Sequence, residues 1–149
     1  MTLINTLRTL FSRDLHRVQQ EIGLYTQEQR IWQVEGHINN SAGNLCLHLV
    51  GNLTTYIGAE LGGVAYTRNR ELEFAARDVP RSELLRQLAA TAHLVDQTLL
   101  GLPAGILATE YPLLVFEEPM STEYFLVHLA THLACHLGQI NYHRRLVEA

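Results

Sequence analysis

The stretch STEYFLVHLATHLACHLGQINYHRRLVEA, Ser121 to Ala149, carries the strongest pattern in this 149-residue chain. Leu126, Leu129, Leu133 and Ile140 recur at three-, four- and seven-residue steps, the period of a helix with one buried face. Ser121 is a good N-cap with Glu123 in the first turn, and Arg144 and Arg145 fall in the last turns. Those are the favourable ends for negative and positive charge. The spacing predicts a helix from about Ser121 to Val147.

Four of the eight histidines lie on this helix: His128, His132, His136 and His143. A four-residue step advances about 40° around the axis, so all four fall within an arc of about 80°. Gln139 shares the arc, which runs along the edge of the apolar stripe. A lone histidine in such a place is ordinarily a core-edge residue with its own hydrogen-bond partner. An HxxxH pair differs, because residues four apart are neighbours on one face and two imidazoles there can converge on one ion. His128 and His136 are separated by a rise of about 12 Å, whereas two ligands of one metal lie at most about 4 Å apart. The pair is therefore either His128 with His132 or His132 with His136.

Working outward, three more segments have helical period. The first runs from about Thr2 to Tyr25, with Leu3, Leu7, Leu10, Phe11, Leu15, Val18 and Ile22 on one face. The second runs from about Asn40 to Leu61 and closes at Gly62-Gly63. The third runs from about Pro80 or Ser82 to Leu102. A short helix is expected around Gln27 to Val34. Val64 to Val79 and Pro103 to Met120 are long connections, and Tyr111 to Pro119 reads as a short extended piece with no partner strand. Four long amphipathic helices and no evident strands predict an all-α four-helix bundle, one domain over residues 1–149. The long connections argue against a simple up-down-up-down order.

His48 lies inside the apolar stripe of the second helix, between Leu45 and Leu49. A buried imidazole there needs a partner, which makes it the natural third ligand. Two histidines from one helix and one from another form a three-nitrogen set with positions left open, the pattern of a catalytic metal site. Asn52 and Gln139 each lie one turn beyond a candidate ligand and could orient an imidazole or a bound water. Ordinary interhelical hydrogen bonding competes with that reading for both. His128 could act as a proton shuttle at the mouth or be a partly solvated histidine. His16, His37 and His93 read as surface residues.

Composition removes several functions. The net charge is −4, and every one of the eleven basic residues is Arg. No basic stripe points to nucleic acid, and the absence of Lys excludes a Schiff base or a P-loop lysine. Cys46 and Cys135 lie in apolar helical runs and read as buried reduced thiols, with Cys135 beside His136 as the alternative site thiol. The N-terminus has no signal-peptide pattern and no segment is apolar enough to span a membrane, so a cytoplasmic location is expected. Arg68 and Arg70 read as surface charge, or as groups reaching an anionic thiol from the long connection.

The segments NLCLHLVGN (Asn44–Asn52) and THLACHLGQINYHRR (Thr131–Arg145) resemble the DinB/YfiT-like family of small bacterial metalloproteins. The resemblance spans nearly the whole chain. It implies a four-helix bundle with crossed connectivity, frequent homodimers, and metal ligands at His48, His132 and His136, so that it decides between the two HxxxH pairs. The metal it implies is zinc or nickel, or another divalent ion. It suggests a metal-dependent transferase acting on a low-molecular-weight thiol such as bacillithiol or mycothiol, or a hydrolase. A non-catalytic metal- or ligand-binding bundle is the alternative.

Overall fold

The computed structural model describes Met1–Ala149. It contains five α-helices: α1 (Leu3–Gly23), α2 (Ala42–Leu53), α3 (Arg70–Ala75), α4 (Arg81–Leu100) and α5 (Thr122–Val147). Side chains set the starts of four of them. Thr2, Ser41, Asn69 and Ser121 each accept a backbone N–H from the first turn of the helix that follows, satisfying a donor that the helix cannot pair internally.

The four long helices bury the faces expected from their periodicity. Leu7, Phe11, Leu15, Val18 and Ile22 of α1 meet Leu84, Leu88, Val95 and Leu99 of α4 and Phe125, Leu126, Leu129, Leu133 and Ile140 of α5 in one continuous core. Helix α2 is buried on nearly every side: Leu45, Cys46, His48, Leu49, Gly51, Asn52 and Leu53 are all inside. Both α1 and α2 pack against α4 and α5, while α1 and α2 stand on opposite corners, as do α4 and α5. The chain therefore crosses the bundle twice, through residues 24–41 and 101–121. The family resemblance implied this crossed connectivity. Of the two long connections named from the sequence only residues 103–120 are a crossing, since residues 64–79 join the neighbouring helices α2 and α4.

The crossings are built rather than slack. The first holds a 3₁₀ turn, Glu28–Trp32, whose Ile31 and Trp32 are buried. Gly43 of α2 lets the Trp32 ring lie close, since a Cβ there would fall 2.7 Å from the ring. In the second crossing an isolated bridge joins Glu110 to Ser121, with Tyr111 N–H donating to Met120 O at 2.9 Å. Residues 111–119 themselves form no strand: the segment is closed at its two ends by that bridge and is not paired along its length.

Two elements differ from the sequence expectation. The second helix is not uniform: after Leu53 it continues as a π-helical turn, Thr54–Ala59, before ending near Gly63, whose φ is +68°. Wider turns leave a carbonyl over, here Tyr56 O, and the Tyr111 hydroxyl donates to it at 2.6 Å. The segment expected as a bare connection between α2 and α4 contains α3. Its signal was the Asn69 cap followed by Glu71 and Glu73 in the first turn. No helix is long and apolar enough to cross a membrane.

Candidate metal centre

Helices α2 and α5 are neighbours, and their contact brings three imidazoles together. His48 Nε2 lies 3.2 Å from His132 Nε2, and His136 Nε2 lies 3.0 Å from the same atom. The three ring nitrogens fall within 4.8 Å of one another. The rings stand nearly edge to face, at 72°, 87° and 88° between the three pairs. Three planes meeting at steep angles aim three nitrogens at one point.

The far side of each ring decides which nitrogen is free. His48 Nδ1 lies 3.0 Å from Glu73 Oε1. Glu73 is clamped by Arg68, whose Nε and Nη2 donate to its two oxygens at 2.8 Å each. A carboxylate held in that fork only accepts, and at 3.0 Å it is nearer to His48 Nδ1 than Arg68 Nη2 at 3.3 Å, so the geometry favours the hydrogen on Nδ1 and a bare lone pair on Nε2. His136 Nδ1 donates to Gln139 Oε1 at 2.7 Å, which leaves its Nε2 bare as well. Both lone pairs face His132 Nε2. A single proton there can serve one of them, not both. His132 Nδ1 is buried with no partner. One divalent cation at the convergence point would take all three lone pairs. Nitrogens at about 2.0–2.1 Å from an ion sit about 3 Å apart, and the His48–His132 and His132–His136 pairs stand at 3.2 and 3.0 Å. The donor set fits a metal.

Electrostatics agrees with the geometry. Burial pulls the His132 imidazole down to about 4, with the neighbouring His136 and His48 acting in the same direction. Burial also lowers His48, against the raising effect of its Glu73 hydrogen bond. Both rings are neutral near pH 7, the state in which imidazole binds a metal.

Glu73 and Gly51 are parts of the candidate site that sequence reasoning missed. Glu73 is 6 % exposed and reaches His48 only because α2 has no side chain at Gly51, where a Cβ would lie within 2.0 Å of Glu73 Oε2. The LHLVGN run held the signal for the gap, but nothing local says what fills it. Arg68 also differs from the expectation of a surface or thiol-binding group, because it is committed to Glu73. Arg70 is exposed, its guanidinium 5.4 Å from the centre of the Phe74 ring.

The remaining histidines and polar candidates separate. His128 lies outside the cluster, its ring stacked at 5.8 Å on Phe125 and edge-on to Phe116 at 5.0 Å. Asn52 is buried, but its Oδ1 has no partner and it makes no bond to an imidazole. Gln139 holds His136. His143 turns inward: its Nε2 donates to Gln33 O at 2.8 Å and its Nδ1 accepts from the Tyr25 hydroxyl at 2.6 Å. His16, His37 and His93 are exposed. Cys46 is fully buried as expected, whereas Cys135 is exposed, on the outer side of α5. The buried-pair reading fails for Cys135 because it sits a quarter-turn or so from His136, around the corner from the core stripe.

Comparison with known proteins supports the same architecture. The family model of the DinB superfamily matches residues 25–140, most of the chain. A solved structure described as the conserved protein of locus from Enterococcus faecalis superposes with a TM-score of 0.79 at 17 % identity. The match covers 99 % of this chain and 98 % of that one. At that identity the likeness shows the fold. No curated protein matches the chain.

Proposed function

We propose that this chain, which belongs to the DinB superfamily, is a metal-dependent transferase acting on a low-molecular-weight thiol, or a hydrolase of related chemistry. The observation that carries the reading is the convergence of three Nε2 atoms, two of them left bare by hydrogen bonds on the opposite side of their rings. Zinc or nickel suits three neutral imidazoles. A divalent ion held by nitrogen ligands alone supplies Lewis acidity and lowers the pKa of a thiol or water brought to it.

The protein's own groups supply orientation. Glu73, itself fixed by Arg68, holds the His48 ring in one tautomer and at one angle. Gln139 does the same for His136. Such partners set ring direction and raise the donor strength of the opposite nitrogen. Packing against Phe74, 5.0 Å from His48 between ring centres, excludes water from that side of the site. The working form we propose is a cytoplasmic homodimer acting on a small molecule, with no nucleic-acid or membrane partner.

Elemental analysis of tag-free protein, beside a thiol-conjugation assay on zinc- and nickel-loaded samples, tests the reading. About one ion per chain and thiol transfer that disappears in His132→Ala are expected. A fully loaded protein that is inert toward thiol acceptors and esters would leave a non-catalytic metal-binding module.

A further inference from the structure

A second feature adjoins the histidine cluster. Between α5 and the crossing that leads into α2 lies a cleft of about 530 Å³, within the range of small-molecule sites. Its wall includes His136, Gln139, Tyr142 and Leu146 from α5 and Asn39 and Asn40 from the crossing. No Asp, Glu or Arg lines it; its other imidazoles are the exposed His37 and the buried His143, the latter with both nitrogens taken by the protein. Gln139 spends its carbonyl on His136, and its amide N–H₂ donates to no protein group. The Asn39, Asn40 and Tyr142 side chains likewise make no hydrogen bond within the protein, and Tyr142, 72 % exposed, stands with them beside apolar surface from Leu146 and Ile38.

We infer that this cleft binds an uncharged organic molecule, rich in carbonyl or hydroxyl groups and bearing an apolar arm, as the body of the substrate. Its role as a substrate site rests on the proposed function; its chemistry rests on the lining. Amide and phenol groups match carbonyl and hydroxyl partners, while a charged group would meet no carboxylate or guanidinium on the wall itself. Of the three clustered histidines only His136 lines the cleft. An occupant therefore touches the cluster through the His136–Gln139 pair. A carbonyl accepting from the Gln139 amide polarises it, and Gln139 Oε1 then accepts more strongly from His136. Arg145 stacks on Tyr142 at 5.3 Å and is a cation beside the rim, so the charge preference is a real choice between outcomes.

The experiment is titration calorimetry of the zinc-reconstituted and metal-free protein with two probes of one skeleton, N-acetylcysteine amide and N-acetylcysteine. The uncharged amide should bind at least about tenfold more tightly than the carboxylate, and Tyr142→Ala should weaken it about tenfold with zinc content unchanged. Equal affinities, a preference for the carboxylate, no binding of either probe, or binding unaffected by both Tyr142→Ala and Leu146→Arg each overturn the inference. The zinc content reports separately on the proposed function. A protein that takes up no zinc but keeps Tyr142-dependent binding sinks that function and leaves the cleft standing. Full zinc loading without any Tyr142 dependence does the reverse.

Discussion

His136 and His143 stand seven residues apart on α5, within about 20° of each other around its axis. At His143 both ring nitrogens are taken by the protein, one by the Tyr25 hydroxyl and one by Gln33 O, and the residue is 3 % exposed. It ties the end of α1 and the first crossing to α5. At His136 one nitrogen is anchored to Gln139 and the other faces two more imidazoles. The residue type and the helical angle are nearly the same; the difference lies in what the neighbouring element presents. Opposite His143 stand a hydroxyl and a carbonyl. Opposite His136 and His132 stands a third imidazole, with a lone pair and nothing to donate. A histidine is available as a ligand where its surroundings leave a nitrogen bare.

The strongest way to break this comparison is metal content. His48→Ala, His132→Ala and His136→Ala should each lose the bound ion, whereas His143→Ala should keep it, read by elemental analysis of purified protein. Chelation should lower the melting temperature of the parent, because an ion that binds only the folded state stabilises it. At a thousandfold excess over Kd the effect is about 4 kcal/mol, or roughly 10 °C for a domain of this size. Equal metal in all four variants would erase the distinction.

Next in size is the structural arm. His143→Ala removes the partner of a buried tyrosine hydroxyl and of a carbonyl and leaves a cavity, a loss of about 2–4 kcal/mol in chemical denaturation. If that variant instead lost metal at full stability, His143 would belong with the ligands.

Smaller effects sharpen the ligand side. Glu73→Ala and Gly51→Ala should each weaken metal binding by about ten- to a hundredfold, measured by competition with a chelator. The Gly51 methyl would meet the far end of the Glu73 side chain rather than backbone, so the helix should persist while the carboxylate is displaced. Retained affinity in both variants would show that His48 needs no carboxylate to hold it.

A separate arm is the pH dependence of the metal-free protein. His132 is pulled down to about 4 when folded, and His48 is lowered too, whereas an exposed imidazole titrates near 6.5. Between those values the unfolded chain binds more protons than the folded one, so stability should be full above about pH 6.5 and fall toward pH 4. His132→Ala should flatten that slope; a slope unchanged by the substitution would place the titration elsewhere.

Much of the fold was legible because its causes are local. Ser121 caps α5, and the leucines of α1, α4 and α5 repeat at the period their burial requires. The site was legible as far as residue type and period reach: a buried His48, a row of imidazoles on α5, and Gln139 one turn beyond His136. The period offered two HxxxH pairs with equal right, and only the resemblance to a family separated them. Glu73 was invisible as a partner of His48, since it lies twenty-five residues away beyond a turn of irregular helix. Arg68 and Cys135 were misplaced for the same kind of reason: a side chain's exposure depends on what packs over it.

The sequence by itself determined the four long helices, the Ser121 cap, the buried faces and the family, because backbone hydrogen bonds and side-chain periodicity act within a few residues. The tertiary structure decided the rest. Placing α1 and α2 on opposite corners brings α2 against α5, which draws His48 to His132 and His136 and leaves His128 and His143 to other neighbours. The gap at Gly51 then admits Glu73. Which nitrogens are bare follows from contacts between segments far apart in the chain, and no periodicity within one helix encodes them.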